Sequence, residues 1–407
     1  MDLHRSTYRP PSQRGAALLI LLLIVLLATT YSFVNSLSTT HLGTERQKKT
    51  DEALAQAKDA LIAWSVLQGD IGTGTNPRPG TLPCPDTTNS GSQTGSCSAL
   101  GGTTIGRLPW KTLGIDDLRD ADGERLWYVL SDNFRRPGLN NRAINSDTQG
   151  SLQLYAADGI TLLTPTGEEL AAIIFSAGTP LAGQDRGAAP NIATNYLDSA
   201  LTRNNASPGG PFISGPIKNT SDDTILNDRV LTIRAQELIK AVERRALKEA
   251  QNSLAAYAFA NGGKYPNPAK PNGPNCATTI SNVASPTTCA GDPSVCFGRF
   301  PEDIAVPLPA WFQQNGWGRV ITYAVEKNSA IAGSAAECST SLNVDGQGKK
   351  YLIIAPGSPK SGQSRPSLFL VDYLENTANS DAWTASSAQP SFTAPNTSSN
   401  DQLRSLP

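Results

Sequence analysis

Hydrophobic and polar positions follow clearly different patterns along this chain. Residues 16–28 are apolar without a break, and polar residues enter only from Thr29 onward. Beyond them, Ala53, Ala57, Ala60, Trp64 and Leu67 recur at alternating steps of four and three, which places them on one helical face. No proline lies between Ala16 and Gln68, and Gly69 is a stop signal. This pattern predicts one helix from Ala16 to Gln68, about 80 Å long at 1.5 Å per residue. Its first part, Ala16 to about Val34, offers roughly the 20 positions that span a bilayer. Arg5, Arg9 and Arg14 precede it, on the side that stays cytoplasmic.

The pattern then repeats. Ala53-Leu54-Ala55-Gln56-Ala57-Lys58 returns as Ala246-Leu247-Lys248-Glu249-Ala250-Gln251. Gly106-Arg107-Leu108-Pro109 recurs as Gly298-Arg299-Phe300-Pro301, and Gly123 to Tyr128 is echoed by Gly318 to Tyr323. Gly178-Thr179-Pro180-Leu181-Ala182-Gly183-Gln184-Asp185-Arg186 returns as Gly357-Ser358-Pro359-Lys360-Ser361-Gly362-Gln363-Ser364-Arg365. Tyr196-Leu197-Asp198 matches Tyr373-Leu374-Glu375. The blocks keep one order, and their spacing shifts appreciably only between the third and fourth, as one loop insertion in the first copy would cause. Two copies of one unit follow.

Each copy starts with an amphipathic helix, continues through a Pro/Gly-rich, cysteine-bearing loop and ends in strands. Short apolar or alternating runs predict strands at Arg125 to Leu130, Leu152 to Tyr155 and Leu170 to Phe175. In the second copy Val320 to Val325, Tyr351 to Ala355 and Leu368 to Val371 play those parts. The second helix is expected at about Thr232 to Asn261, with Glu243, Arg244, Arg245, Lys248 and Glu249 on its polar side. A helix followed by a mostly antiparallel sheet is an α+β plan. The expected organisation is a leader at 1–15, a transmembrane half-helix at 16–35, a first head at 36–207, a linker at 208–231, a second head at 232–376 and a Ser/Thr/Pro-rich tail at 377–407.

Composition narrows the picture. A net charge of −1 over 407 residues gives no electrostatic reason to expect a nucleic-acid partner. The six cysteines, Cys84, Cys97, Cys276, Cys289, Cys296 and Cys338, all lie after the apolar run. An even count in an exported chain points to disulfides formed in an oxidising compartment. The zinc alternative lacks any Cys-x-x-Cys spacing or nearby His. Cys84 and Cys97 enclose twelve residues, and closing such a loop stabilises by roughly 3 kcal/mol. Pairing Cys276 with Cys289 would mimic that link and leave Cys296 with Cys338, but four cysteines allow three pairings.

Candidate chemistry is sparse. Asp116, Asp117, Asp120, Asp122 and Glu124 form an acidic cluster, yet their spacing is not that of an EF-hand, and the interleaved Arg119 and Arg125 can pair with them. Asp345-Gly346-Gln347-Gly348 reads as a turn. The repeated Gly-x-Pro-x-x-Gly-Gln-x-Arg loop lacks the Lys-Ser/Thr of a phosphate-binding loop, so Arg186 and Arg365 are expected to bridge acids or carbonyls. Trp311 and Trp383 are candidates for exposed recognition residues. No His follows His41, which leaves no Ser-His-Asp or Cys-His triad to assemble. No enzymatic role and no cofactor is expected.

A basic leader ending in Gln13-Arg14-Gly15, followed directly by the apolar run from Ala16, resembles the prepilin signal of type IV pilins and type II secretion pseudopilins. The resemblance implies cleavage between Gly15 and Ala16 by the prepilin peptidase, and methylation of the new terminus. It also implies a first helix that is hydrophobic, then amphipathic, and that continues into a pilin-like head. Leu82-Pro83-Cys84-Pro85-Asp86, Gly106-Arg107-Leu108-Pro109-Trp110 and Leu118-Arg119-Asp120 resemble head-domain patterns of pilin-like proteins. Major pilins carry a glutamate at the fifth mature position, which here is Ile20. The resemblance therefore implies a minor pilin or pseudopilin at the tip or initiation complex of a filament, with two tandem heads. Its partners would be other pilins or pseudopilins met through the N-terminal helix, the prepilin peptidase and the inner membrane. The heads would be periplasmic and the N-terminus cytoplasmic. The alternative is a membrane-anchored periplasmic binding or adhesion protein that enters no filament.

Overall fold

The computed structural model describes residues 14–69, 78–95, 97, 104–135, 143–165, 167–187, 190–270, 291–292, 295, 297–302, 306–331, 341–360, 362–367, 372–377, 379, 391–396 and 399–406. The chain forms two compact units, Met1–Glu52 and Ala53–Pro407.

Helix α1 is continuous over Arg14–Val66. The expectation of a transmembrane helix is nevertheless corrected: among the described residues, no helix is long and apolar enough to cross a membrane. The apolar side chains Leu21–Leu27 are each more than half exposed. The α+β plan with a membrane-spanning helix thus gives way to a mixed α and β body rich in sheet.

That body holds two four-stranded antiparallel sheets with one topology. The first comprises β1 (Thr104–Arg107), β2 (Trp127–Leu130), β3 (Leu170–Ser176) and β4 (Arg229–Arg234), hydrogen-bonded in that order. The second comprises β5 (Phe297–Arg299), β6 (Thr322–Val325), β7 (Tyr351–Ala355) and β8 (Gln402–Leu406), again in order. The register repeats as well. Tyr128 lies opposite Gly106 and Ile174, and Tyr323 lies opposite Gly298 and Ile353. The two glycines have a shared physical cause. A Cβ would stand 2.7 Å from the Asp86 carbonyl oxygen at Gly106 and 2.2 Å from that of Ala269 at Gly298, so only glycine admits the crossing backbone.

The segments expected to be linker and tail differ from that reading, because each supplies its sheet's closing strand. Val230, Leu231 and Thr232 are only half-buried on an edge, which is why periodicity did not reveal β4. Leu368–Val371 and the cysteines Cys276, Cys289, Cys296 and Cys338 lie outside the described residues.

Both faces of the first sheet are covered. Tyr128, Leu130, Ala172 and Ile174 pack with Leu54, Ala57 and Leu61 of α1. Trp127, Val129, Ile173 and Phe175 pack on the other side with Leu154, Tyr196 and Phe212. Helix α2 (Ala235–Ala260) follows β4 without a loop. Its opening residues Leu238 and Ile239 belong to the first core, and Val242 to Ala258 belong to the second. Lys58 on α1 pairs with Glu237 on α2 at 2.7 Å. The halves expected as separate heads therefore lie in one unit, joined by a helix that serves both cores.

Cys84 and Cys97 are joined in a disulfide, buried in the first core. Asp345 and Gly346 have φ of 50° and 78° and form the two-residue turn between Leu342–Val344 and Gln347–Lys349, the type I′ hairpin geometry. Trp311, expected to be exposed, is 5% exposed in the second core beneath the Arg245 guanidinium. Trp383 is outside the described residues.

Two outcomes follow for stability. Ile353 is fully buried between Tyr323 and Arg404, so Ile353→Ala should cost about 2–5 kcal/mol in urea unfolding. Replacing Cys84 and Cys97 together with alanine should cost roughly 3 kcal/mol, and non-reducing peptide mapping of the natural chain should recover that linkage.

Candidate functional site

The repeated Gly-x-Pro-x-x-Gly-Gln-x-Arg segment leaves the end of a central strand in each sheet and forms the same latch twice. In the first copy Gly178 adopts a φ of 58°, and Arg186 reaches back to donate to the carbonyls of Gly178 at 2.6 Å and Ala177 at 3.2 Å. Arg186 also donates to Gln184 Oε1 at 2.9 Å. In the second copy Gly357 has a φ of 65°. Arg365 donates to Gly357 O at 2.7 Å, Gln363 Oε1 at 2.8 Å and Tyr373 O at 2.8 Å. The planar five-donor guanidinium suits this task, because it can satisfy several carbonyls of one tight turn.

A second arginine completes each latch. Arg107, from the Gly-Arg-Leu-Pro block, stacks between Trp127 at 4.1 Å and Tyr196 at 4.0 Å. It donates to Arg125 O at 2.7 Å and Pro190 O at 3.1 Å. Arg299 stacks on Tyr373 at 4.7 Å, and Arg365 lies at the same distance from that ring. Each tyrosine thus sits against two guanidinium groups, with Arg186 5.2 Å from Tyr196. Burial lowers Arg107 to about 10 against the opposing pull of Tyr196 and Glu124, which still leaves it charged at neutral pH. Burial also lowers Arg299 and Arg365, and it leads the causes that push Tyr373 up to about 12.

The copies differ in how they balance that charge. In the first, Glu124 lies 3.5 Å from Arg186. The corresponding position in the second copy is Arg319, so no acid is available there. Asp147 of the first half fills the role instead: its Oδ2 lies 3.3 Å from Tyr373 Oη, and its charge favours protonated Arg365 and Arg299.

Glu243 is the residue the sequence reading misplaced. Expected on the polar side of α2, it is fully buried. Its Oε1 accepts from Ser146 Oγ at 2.5 Å and Gly357 N at 2.9 Å, and its Oε2 accepts from Gln402 Nε2 at 2.7 Å. Burial raises its pKa, opposed by those hydrogen bonds. The signal was present in the sequence, because Ala246, Leu247 and Ala250 stand three, four and seven positions further on, inside the same apolar stripe. The seam continues through Asn145 Nδ2 to Asn315 O at 2.9 Å, Asn315 Nδ2 to Pro79 O at 3.0 Å and Arg78 Nη1 to Gln314 O at 3.1 Å.

The other sequence candidates are dispersed. Gly15 and Ala16 lie in the first turn of α1. Asp117 pairs with Arg119 at 2.7 Å and Arg125 at 2.8 Å. Asp120 is fully buried and accepts from the backbone of Asp122 and Glu124, each at 2.9 Å, and from Ser176 Oγ at 2.8 Å. It shapes a turn. Asp116 and Asp122 share that loop, and among the described residues no group of three or more His, Cys, Asp or Glu is placed to hold a metal ion. The arrangement fixes charge and closes turns.

Comparison with protein-family models, with curated proteins and with solved structures finds no match in any of the three.

If the latch depends on the guanidinium fork, Arg186→Lys and Arg365→Lys should each cost about 1–3 kcal/mol, because lysine reaches one carbonyl where arginine spans several. Denaturant midpoints of the two variants check this. Losses below about 0.5 kcal/mol, the range of an ordinary surface substitution, would show that the fork is dispensable.

Proposed function

We propose that this chain is a minor pilin-like or pseudopilin-like structural subunit, placed at the tip or initiation complex of a type IV pilus or type II secretion pseudopilus. The observation that carries the reading is the junction of Arg14-Gly15 with Ala16 at the start of a continuous helix, Arg14–Val66, that leaves Leu21–Leu27 exposed. Such a helix presents apolar surface that neighbouring subunits of an assembly would cover. Farther along the same helix, Ala53, Leu54, Ala57 and Leu61 are committed to the body's own core.

Three further features support it. The Cys84–Cys97 disulfide suits a body exported to an oxidising compartment, on the periplasmic side of the envelope. Ile20 replaces the glutamate that repeating pilins use toward the subunit ahead, a loss best tolerated where no subunit lies ahead. The latches commit arginine donors to backbone carbonyls, as a mechanical subunit would. The partners are other pilins or pseudopilins through α1, and the prepilin peptidase.

Mass spectrometry of the mature protein from its native host tests the reading. The expected product begins at Ala16 with a methylated amine, and Gly15→Leu should leave the leader attached. An intact Met1 terminus would contradict it and favour a binding or adhesion protein outside any filament.

A further inference from the structure

Each closing strand is preceded by an acid, Asp228 or Asp401, whose charge interactions include an arginine of the latch, Arg186 or Arg365. Asn227-Asp228 enters β4, and Asn400-Asp401 enters β8. The environments match: Asn227 Nδ2 donates to Thr179 O and Asn400 Nδ2 donates to Ser358 O, both at 2.7 Å. A first carboxylate, Asp198 or Glu375, is held between the latch glutamine and the asparagine backbone. Gln184 and Asn227 N reach Asp198 at 2.7 and 2.8 Å, and Gln363 and Asn400 N reach Glu375 at 3.0 and 3.1 Å.

The second carboxyl is the anomaly. Asp228 is fully buried, and its Oδ2 accepts from Asp198 N at 2.8 Å and Asn205 Nδ2 at 3.0 Å, while its Oδ1 has no donor. Asp401 is 6% exposed; neither of its buried oxygens makes a hydrogen bond of ordinary geometry, and the nearby Ser399 hydroxyl favours its ionised form without offsetting burial. The cation facing the first pair is Arg186, which Glu124 also engages. The cation facing the second is Arg365, 3.9 Å from Glu375 and shared with Asp147 and Glu243. Glu243 reaches this strand from α2 through Gln402. Two carboxylates in one buried site with less than one cation between them cannot both ionise cheaply.

We propose that each closing strand is fastened by a carboxyl–carboxylate pair that retains one proton, Asp198–Asp228 in the first sheet and Glu375–Asp401 in the second, so that the protein tightens in acid. In the second pair the proton supplies a donor between Asp401 and Glu375, and in the first it removes the charge that Asp198 opposes. Burial first, and then Glu375, push Asp401 up to about 8. Burial and Asp198 push Asp228 in the same direction. An aspartate in the unfolded chain titrates near 4, so folding takes up protons between those values. For Asp401 the stabilisation is complete below about pH 4, declines as pH rises toward about 8 and is level above that, changing the folding equilibrium by up to tenfold per pH unit, and Asp228 contributes in the same direction. Asp147 and Glu243 are raised by burial as well and add slope in the same direction.

The test is urea unfolding of the full chain from pH 5 to pH 8, for the natural protein, Asp228→Asn and Asp401→Asn. The expected result is a natural chain that weakens as pH rises, and variants that each lose up to about one proton's slope. Unchanged slopes in both variants would overturn the proposal, as would added calcium abolishing the natural chain's slope. Infrared spectra of the folded natural protein at pH 7 need no variant that folds. A protonated carboxylic acid band is expected there, and its absence would also overturn the proposal.

Discussion

The carboxylate of Glu243 is the contact on which the rest of the body depends. It stands where α2 passes from the first core into the second, and it binds three separate pieces of chain: Ser146 from the first half, Gly357 from the second latch and Gln402 from the last strand. A buried carboxylate with its partners in place is tolerable, but stripped of them it is a large penalty. Neither the loop around Ser146 nor strand β8 can therefore leave without exposing that cost. Leu238 and Ile239 on one side and Val242 and Ala246 on the other supply apolar burial around it, so polar and apolar restraints act at one place.

Duplication explains the symmetry of the two sheets, and divergence explains why they form one unit. The first copy retains an internal acid, Glu124, for its latch arginine. The second carries Arg319 at that position and takes Asp147 from its neighbour. Once a copy draws on its neighbour for charge balance, separation leaves buried Arg365 with Glu375 and Glu243 but without Asp147, and losing a buried counter-charge costs more than the same pair would gain at a surface. The insertion that lengthens the first copy lies in the stretch between Tyr128 and Gly178, which also supplies Ser146 and Asp147.

Much of this was legible in the sequence. The two latches were visible as a repeated glycine–proline–glutamine–arginine pattern, and Arg186 and Arg365 bind carbonyls as that spacing suggested. Strands β2, β3, β6 and β7 were legible because buried central strands are rich in β-branched, aromatic and aliphatic residues. Strands β4 and β8 were not, because edge strands such as Arg229–Arg234 are half-buried along most of their length and mix charge with Val230 and Leu231. Glu243 was missed because a glutamate beside Arg244 and Arg245 looks like part of a solvated face, although its spacing places it in the apolar stripe. The latch acids Asp228 and Asp401 escaped because their shared Asn-Asp sequence is too short to stand out until the strands following it are aligned. The membrane-spanning expectation rested on the apolar run, the arginines before it and the prepilin resemblance, and among the described residues no helix is long and apolar enough to cross a membrane.

Native-state hydrogen exchange tests most directly the claim that the two copies form one cooperative body. The amides of Ile173 in β3 and Ile353 in β7 lie at the centres of the two sheets. If the seam through Glu243 and Asp147 makes the copies interdependent, both amides should exchange through the same global opening, with equal opening free energies and equal denaturant dependence. Independent sub-global opening of either sheet, with its own lower free energy, would contradict the account.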